Sequence, residues 1–119
     1  MPKCVLIVDD DPTCLEIAKR TLQSKGYEII TAQNGLEALE VLKKKIPDLI
    51  LLDVQMPKMD GYAFILEKSK VPAFADIPVI VLTSMEKTEP LFKRHRVKSY
   101  ILKPFNTQDM LDKIQAIVG

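Results

Sequence analysis

The sequence has no tryptophan, one histidine, four glycines and two cysteines in 119 residues. Cys4 and Cys14 give no framework of repeated spacings. Both fall in predicted regular elements, where a cysteine acts as a small buried hydrophobe, so a reduced, cytoplasmic protein is expected. No apolar run exceeds strand length, so no segment can span a bilayer as a helix. Met1-Pro2-Lys3 leads straight into a strand with no signal-peptide pattern. Seventeen basic and sixteen acidic residues leave a net charge of +1, which offers no general pull on nucleic acid. There is no linker, repeat or low-complexity tail, and a chain of this length forms one domain, residues 1–119.

What is present is a succession of short apolar runs, each closed by polar residues. Leu49-Ile-Leu-Leu52 suits a strand buried on both faces in a parallel sheet, and it delivers Asp53 at its C-terminal end. Pro57 and Asp60-Gly61 then turn the chain away. Cys4-Val-Leu-Ile-Val8 is a second such strand, ending in Asp9-Asp10-Asp11. Asp11 before Pro12 reads as an N-cap with proline at the first helical position, and Gly26 supplies the left-handed stop of that helix. A strand over Tyr27–Ala32 leads to a helix opened at Asn34-Gly35 and closed by Lys43-Lys44-Lys45, a solvated face favourable to its dipole. The central strand is followed by a helix over Tyr62–Lys70, stopped by Pro72, and a strand over Ile77–Leu82 that ends in Thr83-Ser84. A helix start is expected at Thr88-Glu89-Pro90, and a last strand over Ser99–Leu102 ends in Lys103-Pro104. Thr107 is expected to cap a final helix bearing Met110, Leu111, Ile114, Ile117 and Val118.

This β-α alternation predicts an α/β fold: a flavodoxin-like, doubly wound, five-stranded parallel sheet of order 2-1-3-4-5. Five helices are expected, two on one face and three on the other. In such sheets ligands bind beyond the carboxyl ends of the strands. Four strand ends carry polar groups there: Asp9 and Asp10, Asp53, Thr83, and Lys103. Each alone has an ordinary structural explanation, as a cap or turn residue; the argument rests on their coincidence. Three carboxylates on adjacent strands repel one another, and a hard divalent cation with oxygen ligands removes that cost. Lys103 and the Thr83 hydroxyl then suit an anion. Together these groups describe a site for a phosphoryl group on Asp53.

The chain resembles the receiver domain of two-component response regulators, of the single-domain chemotaxis-regulator type. The matching pieces are Val8-Asp9-Asp10-Asp11, Asn34-Gly35-Leu-Glu-Ala-Leu39, Asp48 to Pro57, Met59-Asp-Gly61, Pro78 to Thr83 and Tyr100 to Phe105. The resemblance implies that Asp53 accepts a phosphoryl group from a sensor histidine kinase. It implies direct Mg²⁺ ligation by Asp10, Asp53 and the main-chain carbonyl of Gln55, with Asp9 acting through water; Mn²⁺ could substitute. Thr83 and Lys103 would bind phosphoryl oxygens, and the Lys103-Pro104 bond would be cis, which costs only about 0.5–1 kcal/mol. Thr83 and Tyr100 would form the switch, Gln55 and Met85 would tune phosphoryl lifetime, and Met85, unable to position a water, implies slow decay. Output would pass to a downstream target protein or a histidine phosphotransfer protein. Neither direct nucleic-acid binding nor membrane association is expected, and the domain would be a monomer or a weak phosphorylation-dependent dimer. Without a trailing linker, a stand-alone protein is expected only if the chain is the full gene product; the alternative is the receiver part of a longer regulator with a separate output domain.

From Thr83 to Lys103 the chain is a couple of residues shorter than the family pattern. Arg96-Val97 also replaces the usual small pair before the last strand. Lys93-Arg94-His95-Arg96 makes this stretch basic, read either as a solvated helix or as a partner surface. A haloacid-dehalogenase-type phosphatase would need a second aspartate two residues after Asp53, where Gln55 stands. A flavodoxin-like nucleotide binder would need a glycine-rich loop where Asp9-Asp10-Asp11 would repel phosphates. A non-phosphorylated structural version of the receiver is disfavoured because every active-site residue is present.

Overall fold

Two strands that are apolar on both faces form the centre of the protein. β1 (Cys4–Val8) and β3 (Leu49–Asp53) are buried along their whole length, and such strands persist only where helices cover both sides of the sheet. The computed structural model describes residues 3–53, 61–83, 97–102 and 106–118. In it β2 (Glu28–Ala32), β4 (Val79–Thr83) and β5 (Val97–Leu102) join β1 and β3 in one sheet of order β2-β1-β3-β4-β5. Every neighbouring pair is parallel. The result is a flavodoxin-like α/β sheet.

Alternation along the strands divides the core in two. Val5, Ile7, Leu49, Leu51, Ile80 and Leu82 point to one face, where Ala18 and Leu22 of α1 (Pro12–Ser24) and Met110 and Ile114 of α5 (Thr107–Val118) cover them. Leu6, Val8, Ile50, Leu52, Val79 and Val81 point to the other. There they meet Ala38 and Leu42 of α2 (Gly35–Lys44), Phe64 and Ile65 of α3 (Gly61–Ser69) and Phe74 of α4 (Pro72–Ala75). Each such aliphatic side chain, fully buried, contributes about 1.5–3 kcal/mol.

Local chemistry sets the helix ends. The Asp11 carboxylate accepts from Thr13 N at 2.9 Å, as an N-cap should. At the other end of α1, Gly26 takes φ 90° while Gly26 N donates to Gln23 O at 3.0 Å and Tyr27 N to Leu22 O at 3.1 Å. This paired Schellman arrangement needs a residue without a Cβ penalty at that point. Asn34 caps α2 by accepting from Glu37 N at 2.9 Å, and Glu37 in turn accepts from Gln33 N at 3.2 Å.

The structure corrects several expectations. Pro72 does not simply end the helix before it: it opens a one-turn helix of its own, because its fixed φ suits the first helical position. The cap of α5 is Asn106, not Thr107, since the Asn106 amide oxygen accepts from Gln108 N at 2.8 Å and Asp109 N at 3.1 Å. β2 begins one residue later than expected, at Glu28, while β5 begins two residues earlier, at Val97. The helix expected from Thr88 lies outside the described residues, so the expected division of five helices, which counted it, does not rest on the described ones.

Candidate functional site

The registers of the three central strands bring the carboxylates together. Val8 pairs with Leu52 and Asp53 pairs with Leu82, so Asp9, one step past Val8, emerges beside Asp53 at the C-terminal edge of the sheet. A parallel ladder slipped by one residue would send one of the two to the opposite face. Asp9, Asp10 and Asp53 each offer a carboxylate oxygen, and these oxygens lie within 4.8 Å of one another. Asp9 is 1% exposed and Asp53 4%, whereas Asp10 is open to solvent. One oxygen of Asp9 accepts from Asp11 N at 2.9 Å, and Asp9 N donates to Ala32 O at 3.0 Å. The pocket is therefore acidic, held by main-chain bonds below and open above.

Charge decides what such a cluster is for. Two nearly buried carboxylates and one exposed carboxylate, all oxygen donors within 4.8 Å, have the chemistry of a hard-cation site. A cation there would convert mutual repulsion into attraction, and the exposed Asp10 leaves it reachable from water. The donor set thus fits Mg²⁺ and fits a soft metal poorly, since no sulfur or imidazole ligand joins the cluster among the described residues.

The other residues singled out from the sequence are placed less fully. Thr83 closes β4 and pairs with Leu102, so its backbone reaches the same edge as Asp53, one residue further along the neighbouring strand. Tyr100 lies within β5, paired with Val81. Gln55, Met85, Lys103 and Pro104 lie outside the described residues.

Two polar residues near the core were given no role by the sequence reading. Asp48, just before β3, accepts from Cys4 N at 2.8 Å, while Asp48 N donates to Cys4 O at 2.8 Å. This two-bond clamp ties the starts of β1 and β3 together at the edge opposite the carboxylates. Burial pushes the adjacent Cys4 thiol up; the positive Lys45 opposes that shift, and Glu28 and Asp48 add to it. Lys45 itself is pushed up by its bond to Glu28. Lys68 of α3 is fully buried, and its ammonium donates to Ala75 O at 3.1 Å. Its position on the inward side of a helix with Phe64 and Ile65 was the available signal, but lysine at such a place ordinarily snorkels out.

Comparison with known proteins agrees with this architecture. The profile of the response regulator receiver domain family matches residues 5–115. The polar-differentiation response regulator DivK of Brucella anthropi is 32% identical over 121 residues, covering 100% of this chain and 98% of DivK. A protein of Pyropia yezoensis named "Probable transcriptional regulator ycf27" is 36% identical over 116 residues, covering 96% of this chain but 46% of that one. The chain thus spans about half the length of such curated relatives. The structure of the chemotaxis response regulator CheY4 of Vibrio cholerae superposes with a TM-score of 0.92 at 31% identity, over 98% of this chain and 99% of CheY4. Among the described residues no helix is long and apolar enough to cross a membrane.

Proposed function

The chain belongs to the response-regulator receiver family, and from that premise we propose that Asp53 is the phosphoacceptor of a two-component signalling switch spanning residues 1–119. The observation that carries this reading is the carboxylate cluster, with Asp53 nearly buried and its carboxylate within 4.8 Å of those of Asp9 and Asp10 at the C-terminal edge of the sheet. In the proposed step an Asp53 carboxylate oxygen attacks the phosphorus of a kinase phosphohistidine. The O–P bond forms as the N–P bond breaks, and the imidazole leaves with the bonding pair. Asp10, Asp53 and the Gln55 carbonyl would hold Mg²⁺ (or Mn²⁺) directly, with Asp9 holding it through water, a role that suits an Asp9 carboxylate already engaged by Asp11 N. When bound, the cation neutralises the carboxylates and the charge of the transferring group. Lys103 and Thr83 would bind phosphoryl oxygens.

The switch follows from added charge and acceptors. A phosphoryl group brings more negative charge and three strong acceptor oxygens. Thr83 donates to one of them, and Tyr100, two pairs before Leu102 on the adjacent strand, takes the space vacated. The surface formed by the segment after Thr88, by β5 and by α5 then favours one of two arrangements, a population shift biased from Asp53. Gln55 and Met85 would govern access of water to the acyl phosphate, and the Lys103-Pro104 bond would be cis, as the family resemblance implies. The domain signals rather than turning over a substrate: it acts in the cytoplasm between a sensor histidine kinase and a downstream protein, without contacting nucleic acid itself.

Intact mass after incubation with acetyl phosphate and Mg²⁺ tests the chemistry, and it suits a chain with no tryptophan to report by fluorescence. One phosphoryl group is expected on the wild type, and none with EDTA or on Asp53→Asn. A folded wild type that takes neither an adduct nor a thermal shift with beryllofluoride overturns the reading.

A further inference from the structure

Away from the carboxylates, a groove of about 310 Å³ runs between α2 and the α3–α4 connection, its apolar lining made by Leu36, Leu39, Val71 and Phe74. Leu36 (51% exposed) and Val71 (38%) are two of the five large apolar side chains that stand exposed among the described residues. Single exposed apolar residues are ordinary, but two of them beside one cavity make a patch that favours being covered. The groove is preformed. Phe74 is buried in the core beneath it, and the buried Lys68 ammonium holds the end of α4 through Ala75 O at 3.1 Å. The proposed phosphoryl chemistry gives this surface no task.

Charge selects the occupant. Glu40 and Lys43 of α2 and Glu67 of α3 complete the lining: two carboxylates and one ammonium, a net charge of −1. Each carboxylate gives one oxygen to the lysine three residues on, Glu40 to Lys43 at 3.0 Å and Glu67 to Lys70 at 3.1 Å. Lys70 is not part of the lining, and neither glutamate side chain makes another hydrogen bond among the described residues. Exposed pairs of this spacing are weak, so either carboxylate can accept from a better donor at little cost. Two walls that each carry a carboxylate beside an apolar floor suit a cation on an apolar stem. A guanidinium offers five donors in a fixed fork, and its methylene chain lies readily along apolar surface. We propose that this groove docks an amphipathic helix of a partner protein, its apolar side chains on Leu36, Leu39, Val71 and Phe74 and its arginine reaching Glu40 and Glu67. An acidic helix of the same shape would instead meet two like charges. A cavity of this size seats only a few side chains, so binding is weak, with Kd on the order of 0.1–1 mM.

Two synthetic helical peptides serve as probes, alike in their leucine stripe and different only in carrying arginine or glutamate beside it. Titrated to about 5 mM into the isotope-labelled, unphosphorylated chain and followed by heteronuclear NMR, the arginine peptide should shift the amides of α2, α3 and α4 and bind about tenfold more tightly than the glutamate peptide. Added salt should shrink that preference. Glu40→Gln combined with Glu67→Gln should abolish it, leaving the two peptides equal. Val71→Asn should weaken the arginine peptide at least about fivefold. Val71 is the N-cap of α4, where asparagine is favoured, so the fold is kept. Asp53→Asn should bind the arginine peptide like the wild type, which separates this inference from the phosphoacceptor reading. The proposal is overturned by an absence of shifts at the groove, by equal binding of the two peptides to the wild type, or by indifference to Val71→Asn. Groove amides that move with protein concentration alone would make the occupant a second copy and overturn it equally.

Discussion

Asp53→Asn in metal-free buffer is expected to stabilise the protein, although it removes the proposed phosphoacceptor. The three carboxylates lie within 4.8 Å of one another. At that separation each like-charge pair costs about 0.9 kcal/mol at the dielectric of water and about 3.5 kcal/mol at an effective value of 20. Neutralising Asp53 removes two such pairs, so the gross relief lies at roughly 2–7 kcal/mol. The exposed Asp10 and ordinary salt draw the sum to its lower end, and an amide accepts weaker hydrogen bonds than the carboxylate it replaces. A net gain of about 1–3 kcal/mol survives, an upward shift in Tm on the order of 5–10 °C.

Mg²⁺ should act in the opposite order. At a hundredfold excess over its dissociation constant it stabilises the wild type by about 2.7 kcal/mol, and the variant, short of one ligand, gains distinctly less. Thermal or urea unfolding of both proteins, in EDTA and in Mg²⁺, gives all four values. The sign is the test. A variant less stable than the wild type in EDTA would mean that the favourable contacts of the Asp53 carboxylate outweigh the repulsion its spacing imposes. Equal Mg²⁺ gains would mean that the ion binds elsewhere.

Lys68→Ala should lower stability by about 3–5 kcal/mol, through the cavity it leaves and the Ala75 carbonyl it orphans, whereas Lys68→Met, which keeps the volume, should recover more than half; equal losses in urea would refute the packing argument. Asn106→Ala should cost about 1 kcal/mol and Thr107→Ala under about 0.5, in the order set by the observed cap, and the reverse order would reinstate Thr107. The Cys4 thiol is pushed above its unfolded value chiefly by burial, so its contribution is intact below the unfolded value, about 8.5, and is lost as pH rises through the folded one. Wild type should therefore lose stability relative to Cys4→Ala as pH rises above the unfolded thiol value of about 8.5; Lys45, also pushed up, titrates in both and largely cancels. A constant difference would sink that assignment. Tyr100→Ala should leave phosphorylation intact but reduce the change in partner affinity that phosphorylation causes, measured by titration calorimetry; an unchanged response would remove Tyr100 from the switch.

Much of the fold was legible because burial on both faces leaves an unmistakable trace. Runs such as Val5 to Val8 and Leu49 to Leu52 have no polar member to hide a helical period, and the polar residue that ends each run marks the sheet edge. Caps with a single strong candidate, Asp11 and Asn34, were legible for the same reason. Where two candidates stood side by side, as Asn106 and Thr107 do, only geometry could decide. Pro72 was ambiguous because the restriction that stops one helix also begins another. Lys68 was illegible: nothing in its residue type distinguishes a lysine that bonds a carbonyl inside the core from one that reaches solvent.

The pairing of Asp9 with Asp53 is decided at the far end of the sheet as much as at the site. Cys4 and Asp48 are each followed by four apolar residues and then an aspartate, so a contact that brings Cys4 level with Asp48 also brings Asp9 level with Asp53. That alignment is made by Asp48, whose carboxylate takes Cys4 N and whose own N–H takes Cys4 O, both at 2.8 Å. From there Val5 meets Leu49 and Val8 meets Leu52, and the next residue of each strand is a carboxylate. Repulsion between Asp9 and Asp53 would favour a slip of register, but a slip of one residue would turn every apolar side chain of a strand to the wrong face. Four buried aliphatic residues per strand, each contributing about 1.5–3 kcal/mol, outweigh a like-charge pair costing about 1–3.5 kcal/mol. The core can therefore hold the carboxylates closer than they would choose, and that enforced proximity makes the edge a site for a cation and a phosphoryl group.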